Sequence, residues 1–358
     1  MTDFTKSACP AITLAAALAF TTLALPVAPA RADDLALVET GSTLLFPLFK
    51  VWVAEYTKTH PGIRITTNAT GSGAGIEQAI SGAAQIGTSD AYMSDTQARQ
   101  NPQIINVPMA ISALTVNYNL PGLNAANLKL DGPVLADIYN GKIRAWDDKA
   151  IAALNPDVKL PHQDIIPVHR ADGSGDTFVF TQYLTFSTPA WENSIGYGTT
   201  IAWPAVSGGL NAEGNLGVLQ LVQKTPYSIG YLGVSFHAEI AEAGLGTALL
   251  KSYSGEFLSP SKATITAAAA SLTPRTPPDE RLTLVDAPGA NAYPLVNYEY
   301  AVVSTKQANP ETAAALRKFL LWAIAPDESN ERLLDDAHFI ALPAHIWVLS
   351  HDQIESIK

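Results

Sequence analysis

The sequence predicts an α/β fold of about two domains. Short strand-like apolar runs alternate with segments of helical period, the order that gives a parallel sheet with helices packed on it. The pattern restarts after Pro108. At 358 residues the chain exceeds what one comfortable hydrophobic core holds.

Residues 35–38 (LALV) read as the first strand. Glu39-Thr40-Gly41-Ser42-Thr43 then turns into an amphipathic helix whose apolar positions Leu45, Leu48, Phe49, Trp52 and Tyr56 recur every three or four residues. His60-Pro61-Gly62 stops it. A second strand, residues 63–67, leads through Gly71-Ser72-Gly73-Ala74-Gly75 into a short helix. A third, residues 85–87, ends at Ser89-Asp90. Beyond Pro108, residues 112–118 are β-rich and residues 123–160 alternate helices and turns. The strand at residues 165–169 leads into Arg170-Ala171-Asp172-Gly173-Ser174-Gly175-Asp176-Thr177 and another helix. Short strands and turns fill residues 187–295. A β run over residues 298–304 and a periodic helix over residues 310–325 close the pattern.

The first residues have a different character. A polar start containing Lys6 precedes the apolar run of residues 11–25, and small residues stand at Ala30 and Ala32. This is the pattern of a signal peptide, residues 1–32, cleaved after Ala32. A retained anchor is the alternative, but the run is shorter than the ~20 residues a spanning helix needs. The single cysteine, Cys9, lies in that segment, so the mature chain is cysteine-free, which suits an oxidising compartment. Losing Asp3, Lys6 and Arg31 takes the formal charge from −11 to −12. An acidic chain without a basic run is a poor ligand for nucleic acid. Net charge does not exclude a small anion. Exposed charges are screened over roughly 8–10 Å, whereas a buried anion responds to the donors that touch it.

Gly41-Ser42-Thr43, Gly71-Ser72-Gly73 and Gly173-Ser174-Gly175 each follow a predicted strand and open a predicted helix. A helix start leaves backbone N–H groups unpaired and carries partial positive charge. Any one such segment is also an ordinary capped turn. Three at strand ends point to a converging oxyanion site. Ile76 breaks G-x-G-x-x-G in the second segment and no Walker sequence is present, so no nucleotide is implied. Arg170 ends one strand and offers a charged fork of donors. Asp90 ends another. A carboxylate beside an anion is unfavourable unless the anion gives it a proton, so Asp90 selects phosphate over sulfate; otherwise it caps a turn or pairs with Arg170. The seven histidines form no H-E-x-x-H pair and G-x-S-x-G is absent, so neither a metal site nor a serine hydrolase is expected.

The blocks at residues 40–52 (TGSTLLFPLFKVW), 71–78 (GSGAGIEQ), 87–95 (GTSDAYMSD) and 170–184 (RADGSGDTFVFTQYL) together resemble the PstS family. These are the phosphate-binding proteins of the high-affinity phosphate ABC transporter. Residues 130–146, 154–161 and 293–303 extend the likeness over nearly all of the mature chain. The resemblance implies a two-lobed periplasmic-binding-protein fold of type II with inorganic phosphate in the interlobe cleft. Lobe 1 would hold residues 33–113 and 296–358, and lobe 2 residues 114–295. It implies an extracytoplasmic monomer without cofactor that passes phosphate to permease subunits. Carried over, the donors are Ser42, Thr43, Leu44 (through its amide), Ser72, Arg170, Ser174 and Gly175, with Asp90 as acceptor. Asp176 departs from the Thr of the best-known members, although Ser-Gly-Asp occurs in other branches. Asp176 is expected to be a second proton acceptor; the alternative is a carboxylate that only stabilises its own helix start. Other oxyanions such as arsenate, sulfate or molybdate, a stand-alone phosphate sensor, and a phosphatase are the competing functions.

Overall fold

The computed structural model describes residues 35–358, and the predicted signal peptide lies outside them. The strands that build the sheet are Leu35–Gly41 (β1), Ile63–Ala69 (β2), Ile86–Ser89 (β3), Ile104–Tyr118 (β4), Ile166–Arg170 (β5), Leu210–Ala212 (β6), Ser228–Gly233 (β7) and Val296–Ser304 (β8). The helices that matter for the site are Phe46–Thr59 (α1), Ser72–Ser81 (α2), Gly175–Ser187 (α3) and Gly214–Lys224 (α4). A further helix, Pro310–Ala323 (α5), carries the periodic C-terminal pattern.

The strands form one hydrogen-bonded path in the order β2-β1-β3-β8-β4-β7-β5-β6, with the short strand Gly246–Thr247 also paired to β4. Both ends of the path are parallel: β1 lies between β2 and β3, and β5 between β7 and β6. The middle is antiparallel, because β8 runs against both β3 and β4, and β7 runs against β4. The sheet is thus mixed, where strand–helix alternation alone predicts a parallel one. That alternation constrains neighbours joined by a crossover helix, and β4 and β8 are joined by no such unit.

β4 does not begin after Pro108, as the pattern suggested, but runs through it. The residue opposite Pro108 is Tyr300, while Ala110 faces Glu299, so Met109 is an extra, unopposed residue. This bulge lets a central strand absorb a proline, which has no N–H to give to the ladder. β4 also changes partner. Its residues Ile104 to Ala113 pair with β8, and Leu114 to Tyr118 pair with β7. At the changeover the Leu114 N–H donates to the Leu295 carbonyl at 2.9 Å.

α1 buries Leu48, Phe49, Trp52 and Tyr56, the stripe expected from its spacing. It stops at His60, whose backbone has left the helical region ahead of Pro61. Trp52 Nε1–H donates to Asn330 Oδ1 at 2.9 Å, which satisfies the one polar atom of a fully buried indole. A smaller apolar cluster, with Val168, Val218, Val222 and Leu232, seats α4 against β5 and β7. No helix among the described residues is long and apolar enough to cross a membrane.

Candidate functional site

Three strands end beside the starts of two helices. β1 delivers Ser42, β3 delivers Asp90, and β5 delivers Arg170; α2 begins at Ser72 and α3 at Gly175. Gly41 makes the first turn tight. Its φ is +144°, and a Cβ there would lie 2.0 Å from the Thr88 carbonyl oxygen. The Ser42 N–H donates to that same carbonyl at 2.9 Å, locking the β1 turn onto β3.

Asp90 is buried and doubly held. Ser42 Oγ–H donates to Oδ1, and Ser72 Oγ–H donates to Oδ2 at 3.1 Å. Ser42 Oγ in turn accepts the N–H groups of Leu44 at 3.1 Å and Leu45 at 2.9 Å. Ser72 Oγ accepts the Asp90 N–H at 3.2 Å. The Leu44 amide expected to face the anion is therefore directed at a hydroxyl that itself faces Asp90. α3 comes to the same point from the other half of the sheet. A Cβ on Gly175 would lie 2.4 Å from Asp90 Oδ2 and 2.6 Å from Ser72 Oγ. Close by, the Gly73 N–H donates to the Gly173 carbonyl at 2.9 Å. Ser174 Oγ caps α3 by accepting the Thr177 N–H at 3.1 Å. The N–H groups of Gly175 and Asp176, in the first turn, have no carbonyl behind them in the helix.

Arg170 is almost wholly buried. Its Nε donates to Asp172 Oδ1 at 2.7 Å, its Nη2 to Asp172 Oδ2, and its Nη1 to Asp176 Oδ2. Three of the five guanidinium N–H groups are so used, and two remain for a ligand. Burial works against Asp172 ionising. The hydrogen bonds and charge of Arg170, with the Gly214 N–H at 3.1 Å, outweigh it and hold the carboxyl below its ordinary range. Asp176 goes the other way. Full burial and the nearby charge of Asp90 push it up to about 7 in spite of Arg170. Its Oδ2 is bonded, while its Oδ1 is buried with no partner among the described residues.

The residues read from the sequence thus fall into two linked groups. Ser42, Ser72, Asp90 and Gly175 meet directly. Arg170 and Asp176 pair, and Thr43 joins them through a residue the sequence did not single out. Asn215, in the first turn of α4, donates from Nδ2 to both Thr43 Oγ1 at 2.8 Å and Asp176 Oδ2 at 2.7 Å. Its Oδ1 accepts the Gly233 N–H at 2.8 Å. Glu213-Gly214-Asn215 is a fourth strand-end-to-helix-start, but β6 has only three residues, too few to show a period. Glu299 was also missed. It is a fully buried acid in the strand run VNYEYAVVS, and an acid in so apolar a strand was the available signal. Burial, then the charge and hydrogen-bonding contact of Asp90, raise its carboxyl well above the ordinary range. Tyr231 supports the Arg170 strand end, its hydroxyl accepting the Arg170 N–H at 3.1 Å. Among the described residues no cluster of three or more His, Cys, Asp or Glu could hold a metal ion.

The family model described as the PBP superfamily domain matches residues 26–327. The chain is 34% identical to the phosphate-binding protein PstS of Methanocaldococcus jannaschii over 339 residues, covering 89% of this chain and 85% of that one. It is 31% identical to the Haemophilus influenzae phosphate-binding protein PstS, covering 86% and 88% of the two chains. Among solved structures it is similar to a high-affinity periplasmic phosphate-binding protein with phosphate bound, at TM-score 0.70 and 20% identity, covering 88% and 92%. A phosphate-binding protein from Stenotrophomonas maltophilia matches at TM-score 0.66 and 19% identity, covering 89% and 94%. The two-lobed fold follows from these likenesses, and the chain belongs to the PBP superfamily as a member of the PstS phosphate-binding family.

Proposed function

We propose that this protein captures inorganic phosphate outside the cytoplasmic membrane and delivers it to the permease subunits of an ABC importer. One observation carries the reading. A buried carboxylate, Asp90, is held by two serine hydroxyls at the point where the α3 start and the Arg170 fork converge. Amides and the free guanidinium N–H groups donate to unprotonated ligand oxygens, and Asp90 accepts a proton that only a protonated anion has. Thr43, Arg170, Ser174 and Gly175 are the direct donors in this reading, while Ser42, Ser72 and Leu44, expected as donors from the sequence, hold Asp90 instead: both hydroxyls donate to its carboxylate and the Leu44 N–H donates to Ser42 Oγ. Asp176, with its bare Oδ1, is a second acceptor. Arsenate shares phosphate's protonation and is the competitor this geometry favours most; sulfate and molybdate meet carboxylates with no proton to give.

In this reading the site works by binding, so turnover of phosphate esters is not expected. Residues 33–113 with 296–358 form one lobe and residues 114–295 the other. The change of partner along β4 between Ala113 and Leu114 supports this division. Cleavage after Ala32 releases the mature chain, which N-terminal sequencing of the secreted protein checks. The function is tested by calorimetry with phosphate, arsenate and sulfate on the mature protein. Tight phosphate binding with sulfate excluded is the expected result, and failure to bind phosphate refutes it.

A further inference from the structure

Glu299 sits behind the anion site, on β8 opposite the β4 bulge. Its Oε1 accepts two bonds, from Ser112 Oγ–H at 2.5 Å and from Asn297 Nδ2–H at 2.9 Å. Its Oε2 is buried and has no donor among the described residues. The same Asn297 Nδ2 reaches the Asp90 carbonyl at 3.3 Å, which ties β8 to the end of β3 beside the two acids. Asn297 Nδ2 thus reaches both residues, and after burial the charge and side-chain contact of Asp90 raise the Glu299 carboxyl. Two carboxyl groups make such a contact only if one of them carries a proton. Asp90 already accepts two serine hydroxyls, so its bonding pattern is that of the ionised partner. Glu299, with one oxygen saturated by donors and the other bare, has the pattern of a carboxylic acid.

We propose that Glu299 is a positioning residue for phosphate recognition: it stays protonated and donates from Oε2 to the Asp90 carboxylate, holding Asp90 as a charged, correctly oriented acceptor for the ligand's proton. The idea rests on the phosphate reading of the site. Three donors from the protein, Ser42, Ser72 and Glu299, then fix Asp90 from three elements. The ligand proton meets a group that does not need to reorganise. The bulge at Met109 has a place in this arrangement, because the slip of register occurs between Glu299 and Tyr300. The closely related alternative is that Glu299 is a buried structural acid that only joins β4 to β8 through Ser112.

Two variants and one spectrum separate these. In Glu299→Gln the amide Oε1 still accepts from Ser112 and Asn297, and Nε2 replaces the acid proton with an N–H aimed at Asp90. Phosphate affinity should stay within about threefold of the parent, because a charge-assisted hydrogen bond is retained. In Glu299→Ala the donor is lost. Affinity should fall roughly tenfold or more, and discrimination against sulfate should narrow, as expected for a bond to a charged group. Both are read by calorimetry with phosphate and sulfate on protein whose thermal unfolding shows it folded. The infrared difference spectrum of parent minus Glu299→Gln should show the C=O stretch of a protonated carboxylic acid at neutral pH. Absence of that band overturns the proposal, whether or not Glu299→Ala folds. So does a Glu299→Gln protein as impaired as Glu299→Ala, or a folded Glu299→Ala protein with parental affinity and selectivity. A parent that binds no phosphate would refute the functional reading instead, while the infrared band still decides where the proton sits.

Discussion

In the proposed site Asp90 and Asp176 are two different carboxylates for the ligand. Asp90 accepts one serine hydroxyl on each oxygen and keeps lone pairs for further donors. Replacing it with Asn keeps its shape but removes the charge that repels an unprotonated anion. Asp90→Asn should therefore weaken phosphate binding by about 1.5–3 kcal/mol, the range for a hydrogen bond to a charged group, and admit sulfate. Calorimetry with both anions checks it, and unchanged values for both would leave Asp90 a purely structural group. Asp176, pushed up to about 7 by burial and by Asp90, titrates near neutrality. Above that value the free carboxyl is ionised, and a complex that shares one proton between Asp176 and phosphate must take that proton from solvent. Affinity per total phosphate should thus fall as pH rises through about 7. Asp176→Thr should flatten the fall. Binding curves of the two proteins from about pH 5.5 to 8.5 that superimpose would show that Asp176 serves only its own helix start.

The elements that build the site are turns from strand to helix, and their tolerance is set by close packing. Gly175 opens α3 against Asp90 and Ser72 with no room for a methyl group. Gly175→Ala forces the α3 start away from β3. Overpacking of this kind costs about 1–3 kcal/mol, so phosphate affinity should drop roughly 5–150-fold. Circular dichroism should show the helix intact, since alanine is the better helix former. Parental phosphate affinity in this variant would mean that α3 and β3 are not held this close when the ligand is bound. The local strand-to-helix turns were legible in the sequence because each is written in consecutive residues: Gly-Ser-Thr after one strand, Gly-Ser-Gly after two others. The antiparallel seam of β3, β8, β4 and β7 was not. It joins residues up to about two hundred positions apart, such as Ile104 and Ser304, and neither strand carries a sign of its partner.

At the scale of the molecule, the proposed site takes its groups from both halves of the sheet. Ser42, Ser72 and Asp90 come from one half, and Arg170 and α3 from the other. Phosphate binding should therefore draw the lobes together about the crossings near Ala113 and Leu295. Small-angle scattering on ligand-free protein should show a smaller radius of gyration once phosphate is added; an unchanged radius counts against the hinge. Buried acids also set the pH dependence of the whole fold. Burial raises Glu39 to about 8 against the Thr88 hydrogen bond, and Glu280 to about 8 against those from Ser350 and Gln353. A raised folded-state value means that the folded protein holds the proton more tightly than the unfolded chain does. The stability this supplies is complete below the ordinary value of 4.5 and is lost as pH rises through about 8. The melting temperature of the ligand-free protein should fall as pH rises through that window. Glu39→Gln combined with Glu280→Gln should make the fall shallower.

The sequence by itself determined the α/β class, the three strand-to-helix turns and the family, and it singled out Asp90 as a residue of the site. The class and the turns depend on residue types within a dozen positions of one another, where backbone period, capping and glycine placement are local properties, and the family on several such local blocks in order along the chain. Only the tertiary structure decided the mixed order of the sheet, the run of β4 through Pro108 with its bulge, and the placement of Asn215, Asp172 and Glu299. Asn215 bridges Thr43 and Asp176 from a helix that begins after a three-residue strand. Glu299 reaches Asp90 across more than two hundred residues of chain. What such residues do depends on which groups share their buried space, and burial turns an ordinary acid or amide into a group that must find a partner or a proton. That pairing is a property of the folded neighbourhood, and no stretch of consecutive residues encodes it.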